Sequence, residues 1–119
     1  MPITQTDLAA RSCRAVCKGG LPPLTSMQVR DYLQALPDWH LTEDGRRIRR
    51  EWSVKDFLTA LGFFDRIAAI AEAEDHHPDL HLTSYRNVTI ELWTHALGGL
   101  SENDFILAAR IDALPLETK

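Results

Sequence analysis

The sequence lacks several features that define large classes of protein. It has only two cysteines, Cys13 and Cys17, too few for the disulfide framework of a small secreted domain. No apolar run is long enough to span a bilayer. The first residues, Met1 to Gln5, show no charged segment followed by an apolar one, as a secretory signal would. These absences favour a cytoplasmic protein with no membrane partner, in which both cysteines are expected to be free thiols.

Charge and short motifs exclude further classes. The net charge is -4, and basic residues cluster only at Arg46-Arg47 and Arg49-Arg50, which argues against a nucleic-acid partner. There is no Gly-rich phosphate loop and no Ser or Cys in a strand-turn-helix elbow. His77 and His81 have the four-residue spacing of a helical metal site, but Pro78 lies between them. Neither a metal site nor nucleophilic catalysis is therefore predicted.

The chain has 119 residues, which fits a single domain with a modest core. Residues 1–24 read as an N-terminal tail, because Gly19-Gly20 and Pro22-Pro23 punctuate a stretch without periodicity. We expect this tail to be disordered or to dock through Leu21 and Leu24. Residues 25–119 are expected to form the domain.

Helical periodicity predicts three helices. Ser26 is the expected cap of the first, which ends before Pro37. Capping-box patterns at Ser53-x-x-Asp56 and Ser101-x-x-Asp104 predict the starts of a long central helix and of a last helix. The predicted core stripe of the central helix is Phe57, Ala60, Leu61, Phe64, Ile67, Ala68 and Ala71. Phe63 and Ile70 lie beside that stripe and either widen the core or form a partner surface.

Four short extended segments complete the pattern. Trp39–Leu41 and Arg47–Trp52 flank an Asp44-Gly45 hairpin signal, and the second is expected to be an edge strand or to have one solvated face. After Leu80–Leu82, the clearest strand is Val88–Trp93. The order α-β-β-α-β-β-α predicts an α+β fold, in which helices pack on one face of a four-stranded antiparallel sheet.

Three histidines are candidates for acid–base chemistry. His76 and His77 follow the central helix, and Pro78 places the helix end at or before His77. The negative end of the helix and the upstream acidic residues favour protonated imidazoles there. In an α+β fold, the strand end at His95 and the helix start at Asp104 can reach the same rim. Taken singly, a surface helix stop explains His76-His77-Pro78, and capping explains Asp104.

Together, Glu72-x3-His76-His77-Pro78, Thr94-His95 and Gly99-Leu100-Ser101-Glu102-x-Asp104 resemble the pterin-4a-carbinolamine dehydratase family. Trp39 and the Lys55–Phe57 and Gly62-Phe63 segments add to a likeness over about residues 25–114. The resemblance implies a homodimer or homotetramer. It also implies the dehydration of 4a-hydroxytetrahydropterin to quinonoid dihydropterin, with pterin as substrate, no cofactor and no metal.

Carried over by position, the resemblance assigns roles to individual residues. The catalytic imidazoles fall on His76, His77 and His95, of which we expect His76 and His95 to divide the proton transfers and His77 to orient the pterin. Supporting residues fall on Glu72, Thr94 and Asp104, and contacts to the pterin fall on Trp39 and Pro78.

A second reading within the same likeness is a binding protein. The segment Leu80–Asn87 looks one residue longer than is typical of the family, which would place its aromatic at Tyr85. This feature, the strand Ile90–His95 and the tail pattern from Cys13 to Leu24 resemble a subgroup linked to RuBisCO assembly, in plastids and in bacteria with carboxysomes. The alternative is therefore a carboxysome-associated chaperone that binds the RuBisCO large subunit.

Overall fold

A computed structural model describes residues 4–11 and 23–118 of the chain. Within them it contains four α-helices, four strands and one short 3₁₀ turn. In chain order these are α1 (Gln5–Ala9), α2 (Ser26–Gln34), β1 (His40–Leu41), β2 (Ile48–Ser53), α3 (Phe57–Glu74), β3 (Asp79–Thr83), β4 (Asn87–Leu92), the 3₁₀ turn (His95–Leu97) and α4 (Glu102–Asp112). The predicted order is confirmed from α2 onward, and α1 is an addition to it.

The four strands form one antiparallel sheet in the order β1-β2-β4-β3. Gly45, with a φ of 72°, lies in the predicted turn between β1 and β2. The charged strand β2 is interior, between β1 and β4, so it is not an edge strand. Its burial alternates along the strand, which confirms the alternative expectation of one solvated face.

The helices pack against one face of this sheet, as predicted. Ile48, Val88, Ile90 and Leu92 on that face are fully buried, and they join Phe63 and Ile67 of α3 and the apolar side chains of α4 in one core. The opposite face carries charged and polar residues. Arg49, Glu91 and Asp79 form one cross-strand row there, because β2 and β3 both pair with β4.

Two of the three predicted caps are displaced. Thr25, not Ser26, caps α2, and its side chain accepts from the Gln28 N–H at 3.2 Å. Asp56 itself caps α3 by accepting from the Thr59 N–H at 2.8 Å, whereas Ser53 ends β2. Ser101 caps α4, as predicted. In each case the cap is another residue of a type that caps helices well, Thr25 for α2 and Asp56 for α3.

The buried stripe of α3 is rotated from the predicted one. Ala60, Phe63, Ile67 and Ala71 face the core, so Phe63 is not part of a partner surface. Phe57, Leu58 and Leu61 remain 46%, 77% and 39% exposed. An apolar surface is therefore left uncovered at the start of α3.

Part of the N-terminal tail docks on the domain. Leu8 of α1 is fully buried, and Leu24 packs against the core. Arg11 pairs with Glu102 at 2.8 Å, and the guanidinium of Arg110 donates to the Arg11 carbonyl at 2.7 Å. The sequence pattern predicted a tail over these residues but not the helix α1 within it. Leu21, Cys13 and Cys17 lie outside the described residues.

A tight turn joins β3 to β4. Ser84 and Tyr85 both have positive φ, of 47° and 55°. The strands on either side pair in continuous register, with Leu82 opposite Val88 and Leu80 opposite Ile90. Irregular backbone is therefore confined to the turn, which is where an added residue leaves the strand faces unchanged.

In the described part of the chain, no helix has the length and apolar character needed to cross a membrane.

Candidate active site

The ends of four secondary-structure elements meet at one rim of the sheet. They are the end of α3, the start of β3, the end of β4 and the start of α4. β3 and β4 are antiparallel neighbours, so Asp79 at the start of one lies opposite Glu91 near the end of the other. Asp104 at the start of α4 contacts both His76, after α3, and Thr94, after β4. The predicted convergence of helix and strand ends at one rim is therefore present.

The end of α3 sets the direction of the two adjacent histidines. Asp75 takes a left-handed conformation, with a φ of 51°. The His76 N–H donates to the Ala71 carbonyl at 3.1 Å, and the Asp75 N–H donates to the Glu72 carbonyl at 3.4 Å. This pair of bonds is the Schellman pattern that closes a helix. The prediction that the helix ends before His77 is confirmed.

A buried carboxylate lies at the centre of the rim. Asp104 is fully buried in the first turn of α4. Its Oδ2 accepts from the backbone N–H of Ser101 at 3.0 Å and from the hydroxyl of Thr94 at 2.8 Å. Because the Thr94 hydroxyl has one proton, the Ser101 hydroxyl, 2.8 Å away, donates to the Thr94 oxygen. Asp104 therefore caps its helix and joins α4 to the end of β4.

The other oxygen of Asp104 binds an imidazole. Oδ1 lies 2.6 Å from Nε2 of His76, whose side chain is only 11% exposed. A carboxylate oxygen accepts, so the hydrogen-bond pattern assigns the proton of this bond to Nε2. The ring is then oriented as a carboxylate-anchored imidazole, with Nδ1 left for another partner.

His77 and Glu72 form a second, more open arm. Nε2 of His77 lies 3.4 Å from Oε1 of Glu72, and both side chains are more than half exposed. Pro78 is half-buried and leads directly into β3. Solvent screens the charges of this exposed pair, so the pair contributes little to stability. It leaves the His77 imidazole accessible from solvent.

His95 reaches the same rim from β4. It directly follows Thr94, which shares the Asp104 carboxylate with His76. The strand ends at Leu92, earlier than predicted, and His95 begins the 3₁₀ turn. The ring of His95 lies against the indole of Trp93, with centroids 4.1 Å apart, and the guanidinium of Arg47 lies 4.4 Å from the same indole.

Two arginines, Arg49 on β2 and Arg47 in the turn before it, bind Glu91 close to Trp93. Arg49 Nε donates to Glu91 Oε2 at 2.6 Å, and Arg47 donates to Oε1 at 3.1 Å. Burial alone would raise the pKa of Glu91, but the hydrogen bonds and charges of Arg49 and Arg47 outweigh it and hold that pKa below its usual value. The rim therefore carries a fixed negative group between two cations.

Trp39 is the one predicted site residue that the structure does not bring to the cluster. It is 3% exposed, and its indole N–H donates to both carboxylate oxygens of Asp112 at 3.0 Å. Burial raises the pKa of Asp112, although Trp39 and Arg50 act to lower it. Asp112 follows Asp104 by eight residues on α4, about 12 Å along the helix axis. In this chain Trp39 is thus a core residue near the other end of α4.

Sequence reasoning missed four contributors at the rim, namely Arg47, Glu91, Trp93 and Ser101. Ser101 was assigned only as a cap, and Trp93 only as strand composition. Arg47, just before β2, is two residues from Arg49, and Trp93, just after β4, is two residues from Glu91. This spacing of two was the available signal that each pair shares a face.

The described residues contain no group of three or more His, Cys, Asp or Glu side chains that could hold a metal ion. A groove of about 710 Å³ lies elsewhere, between α2, the β1–β2 turn and the segment after His95. None of the predicted site residues lines it.

An α+β fold with this histidine and carboxylate rim defines a recognisable class of protein. The model of the family "Pterin 4 alpha carbinolamine dehydratase" matches residues 22–114. The chain belongs to this family.

Curated relatives agree. Pterin-4-alpha-carbinolamine dehydratase 2, mitochondrial, of Arabidopsis thaliana is 48% identical over 113 residues, which are 93% of this chain and 60% of that protein. The chain thus spans less than two thirds of that relative. A putative pterin-4-alpha-carbinolamine dehydratase of Halorhodospira halophila is 45% identical over 108 residues, covering 91% of this chain and 97% of the relative.

A solved structure supports the fold. The crystal structure described as a transcriptional coactivator/pterin dehydratase from Brucella melitensis superposes with a TM-score of 0.73 at 35% identity. The match covers 77% of this chain and 97% of that one.

Proposed function

We propose that the chain catalyses the dehydration of 4a-hydroxytetrahydropterin to quinonoid dihydropterin and water. Membership of the dehydratase family supports this proposal. The observation that carries it for this chain is the buried Asp104 carboxylate, which ties His76 on one side to Thr94 on the other and so brings His95 to the same rim.

The reaction needs two proton transfers. The C4a–O bond breaks, and the leaving oxygen takes a proton to become water. N5 loses its proton, and the electron pair of that N–H bond forms the C4a–N5 double bond. A positioned acid and a positioned base typically accelerate such steps ~10²–10⁴-fold.

His76 and His95 divide these transfers in our proposal. Asp104 holds the Nε2 proton of His76, so Nδ1 of that ring is the atom that exchanges a proton with the substrate. His95, exposed at the start of the 3₁₀ turn, serves the other position. His77 orients the pterin with Glu72 at its back, and Pro78 borders the site. In this proposal protons and fixed hydrogen bonds supply the catalysis, without a metal or cofactor.

A dehydration assay on synthetic 4a-hydroxytetrahydropterin tests the proposal. We expect the intact chain to exceed the spontaneous rate, and His76→Ala and His95→Ala each to lose roughly 10²-fold or more. His81→Ala is the matched control, because this exposed imidazole lies on β3 away from Asp104. An intact chain at the spontaneous rate, or a fully active His76→Ala variant, would refute the assignment.

RuBisCO assembly stays a prediction. It depends on the tail pattern, of which only Pro23 and Leu24 lie in the described residues, and on the Leu80–Asn87 segment. Binding of the purified chain to the RuBisCO large subunit tests it separately from dehydration.

We further propose that the chain assembles with copies of itself, as a homodimer or homotetramer. The supporting observation is the apolar surface formed by Phe57, Leu58 and Leu61 on α3. A second copy would remove this surface from water.

A further inference from the structure

The indole of Trp93 contacts two cation-capable groups at the rim. The imidazole of His95 lies 4.1 Å away between ring centroids, tilted by 46°. The guanidinium carbon of Arg47 lies 4.4 Å from the ring centroid, within the range of a cation–π contact. The three side chains form a stack, which we call the Arg47–Trp93–His95 stack.

Arg47 is itself held in place. Its Nη1 lies 3.1 Å from Oε1 of Glu91 and 3.6 Å from Oδ2 of Asp79. These carboxylates belong to β4 and β3, so the guanidinium is tied to two strands of the sheet. The indole therefore rests against a group that cannot swing away freely.

His95 has fewer contacts that fix its ring than His76 has. His76 is anchored by a 2.6 Å bond to Asp104. His95 is exposed, and within residues 4–11 and 23–118 its ring nitrogens make no hydrogen bond. The Thr94 N–H bonds the Gly99 carbonyl at 2.8 Å, which fixes the backbone beside His95 but not its side-chain torsions. Contact with the indole is what remains to orient the ring.

We propose that Trp93 is a positioning residue, and that its indole, supported by Arg47, holds the His95 imidazole in the orientation needed for proton transfer. This inference rests on the proposed dehydratase function. Trp93 acts through His95, so it contacts neither the leaving oxygen nor N5. A misplacement of about 1 Å at a catalytic group can cost ~10²-fold, which is why a residue of this kind affects the rate.

The test compares four chains in the dehydration assay, namely the intact chain, Trp93→Ala, His95→Ala and the double variant. We expect Trp93→Ala to lose kcat about tenfold, while KM changes less than about threefold. The double variant should be no slower than His95→Ala alone, because residues that act as one unit are not additive. Trp93→Phe keeps an aromatic face and should restore most of kcat.

Two further variants probe the role of Arg47 and provide a control. Arg47→Met keeps the aliphatic stem but removes the cation, and it should lower kcat in the same direction without opening the core. Tyr85→Ala is the matched control, because Tyr85 also pairs with an arginine, Arg86, but at the opposite end of β4. We expect its kcat to equal that of the intact chain.

The outcomes separate the two proposals. If the intact chain is active but losses in the double variant multiply, or if Trp93→Ala raises KM and leaves kcat unchanged, Trp93 does not act through His95 and the inference is overturned alone. An intact chain without activity overturns the dehydratase function, and the inference falls with it. An upfield-shifted His95 proton in the NMR spectrum, lost in Trp93→Ala, would support the stack independently of catalysis.

Discussion

His76 and Thr94 bind opposite oxygens of one buried carboxylate, that of Asp104, at 2.6 and 2.8 Å. One residue follows the longest helix, α3, and the other follows the interior strand β4, and each precedes another residue of the proposed site. The relationship joins two distant chain segments through a helix cap. If the proposed function holds, activity and stability depend on the same side chain.

Asp104→Asn tests that dependence. An amide cannot accept at both ends, so it leaves one donor of Thr94, Ser101 or His76 unpaired, and it favours the wrong imidazole tautomer. We expect a loss of roughly 10²-fold in dehydration rate and a fall of about 1–3 kcal/mol in the free energy of unfolding. Asp56→Asn is the matched control, since this exposed cap tolerates the same change. A fully active Asp104→Asn would contradict the role of the carboxylate.

The pH dependence of stability reports on Glu91. Its pKa in the folded chain is below the ordinary value of 4.5 because of Arg49 and Arg47, despite its burial. The folded state thus binds its proton less readily than the unfolded state does. The resulting stabilisation is complete above pH 4.5 and is lost as the pH falls through the lower folded pKa.

Glu91→Gln should therefore cost about 1–3 kcal/mol near neutral pH, and the difference from the intact chain should shrink on acidification. Urea unfolding at a series of pH values measures it. Glu43→Gln, in the exposed β1–β2 turn, should follow the intact chain throughout. A Glu91→Gln deficit that stays constant down to the acid limit would mean that the two arginines do not favour the charged form.

Docking of the tail is tested at Leu8. Its side chain is fully buried, so Leu8→Ala should lower the free energy of unfolding by about 2–5 kcal/mol. Met27→Ala, at a side chain that is 72% exposed, should change it by less than about 0.5 kcal/mol. Equal effects of the two variants would show that α1 does not contribute to the domain in solution.

Self-association is tested at the exposed surface of α3. Leu58, at 77% exposure, should be covered in a dimer or tetramer, so Leu58→Glu should shift the mass measured by light scattering towards the monomer. Met27→Glu places the same charge on α2 and should leave the mass unchanged. If the intact chain is a monomer at all concentrations, this surface has another role or none.

Much of this architecture could be predicted because the local signals are strong. The Asp44-Gly45 turn, the alternating β4 and Pro78 each identify an element boundary. The face of α3 could not be predicted in the same way. Phe57, Leu61, Phe63 and Phe64 surround that helix with apolar side chains, so periodicity alone does not select Phe63 as the buried one.

The charged rim was beyond sequence reasoning for a different reason. Arg49 and Glu91 are 42 residues apart, and their contact depends on the pairing of β2 with β4, which are not consecutive strands. A one-residue change of register would place them on opposite faces. Short-range sequence patterns contain no information on that register. The same patterns do locate the ends of helices and strands, and the links from His76 and Thr94 to Asp104 depend on those ends.

The cap at the start of α4 has a consequence for ligand binding. Asn103 through Ala109 are buried, so the helix that carries Asp104 is fixed on nearly all sides by the core. The carboxylate and the His76 ring are consequently ordered before any ligand arrives. Little conformational entropy remains to be lost there on binding, and the adjustable part of the site is the exposed pair of His77 and Glu72.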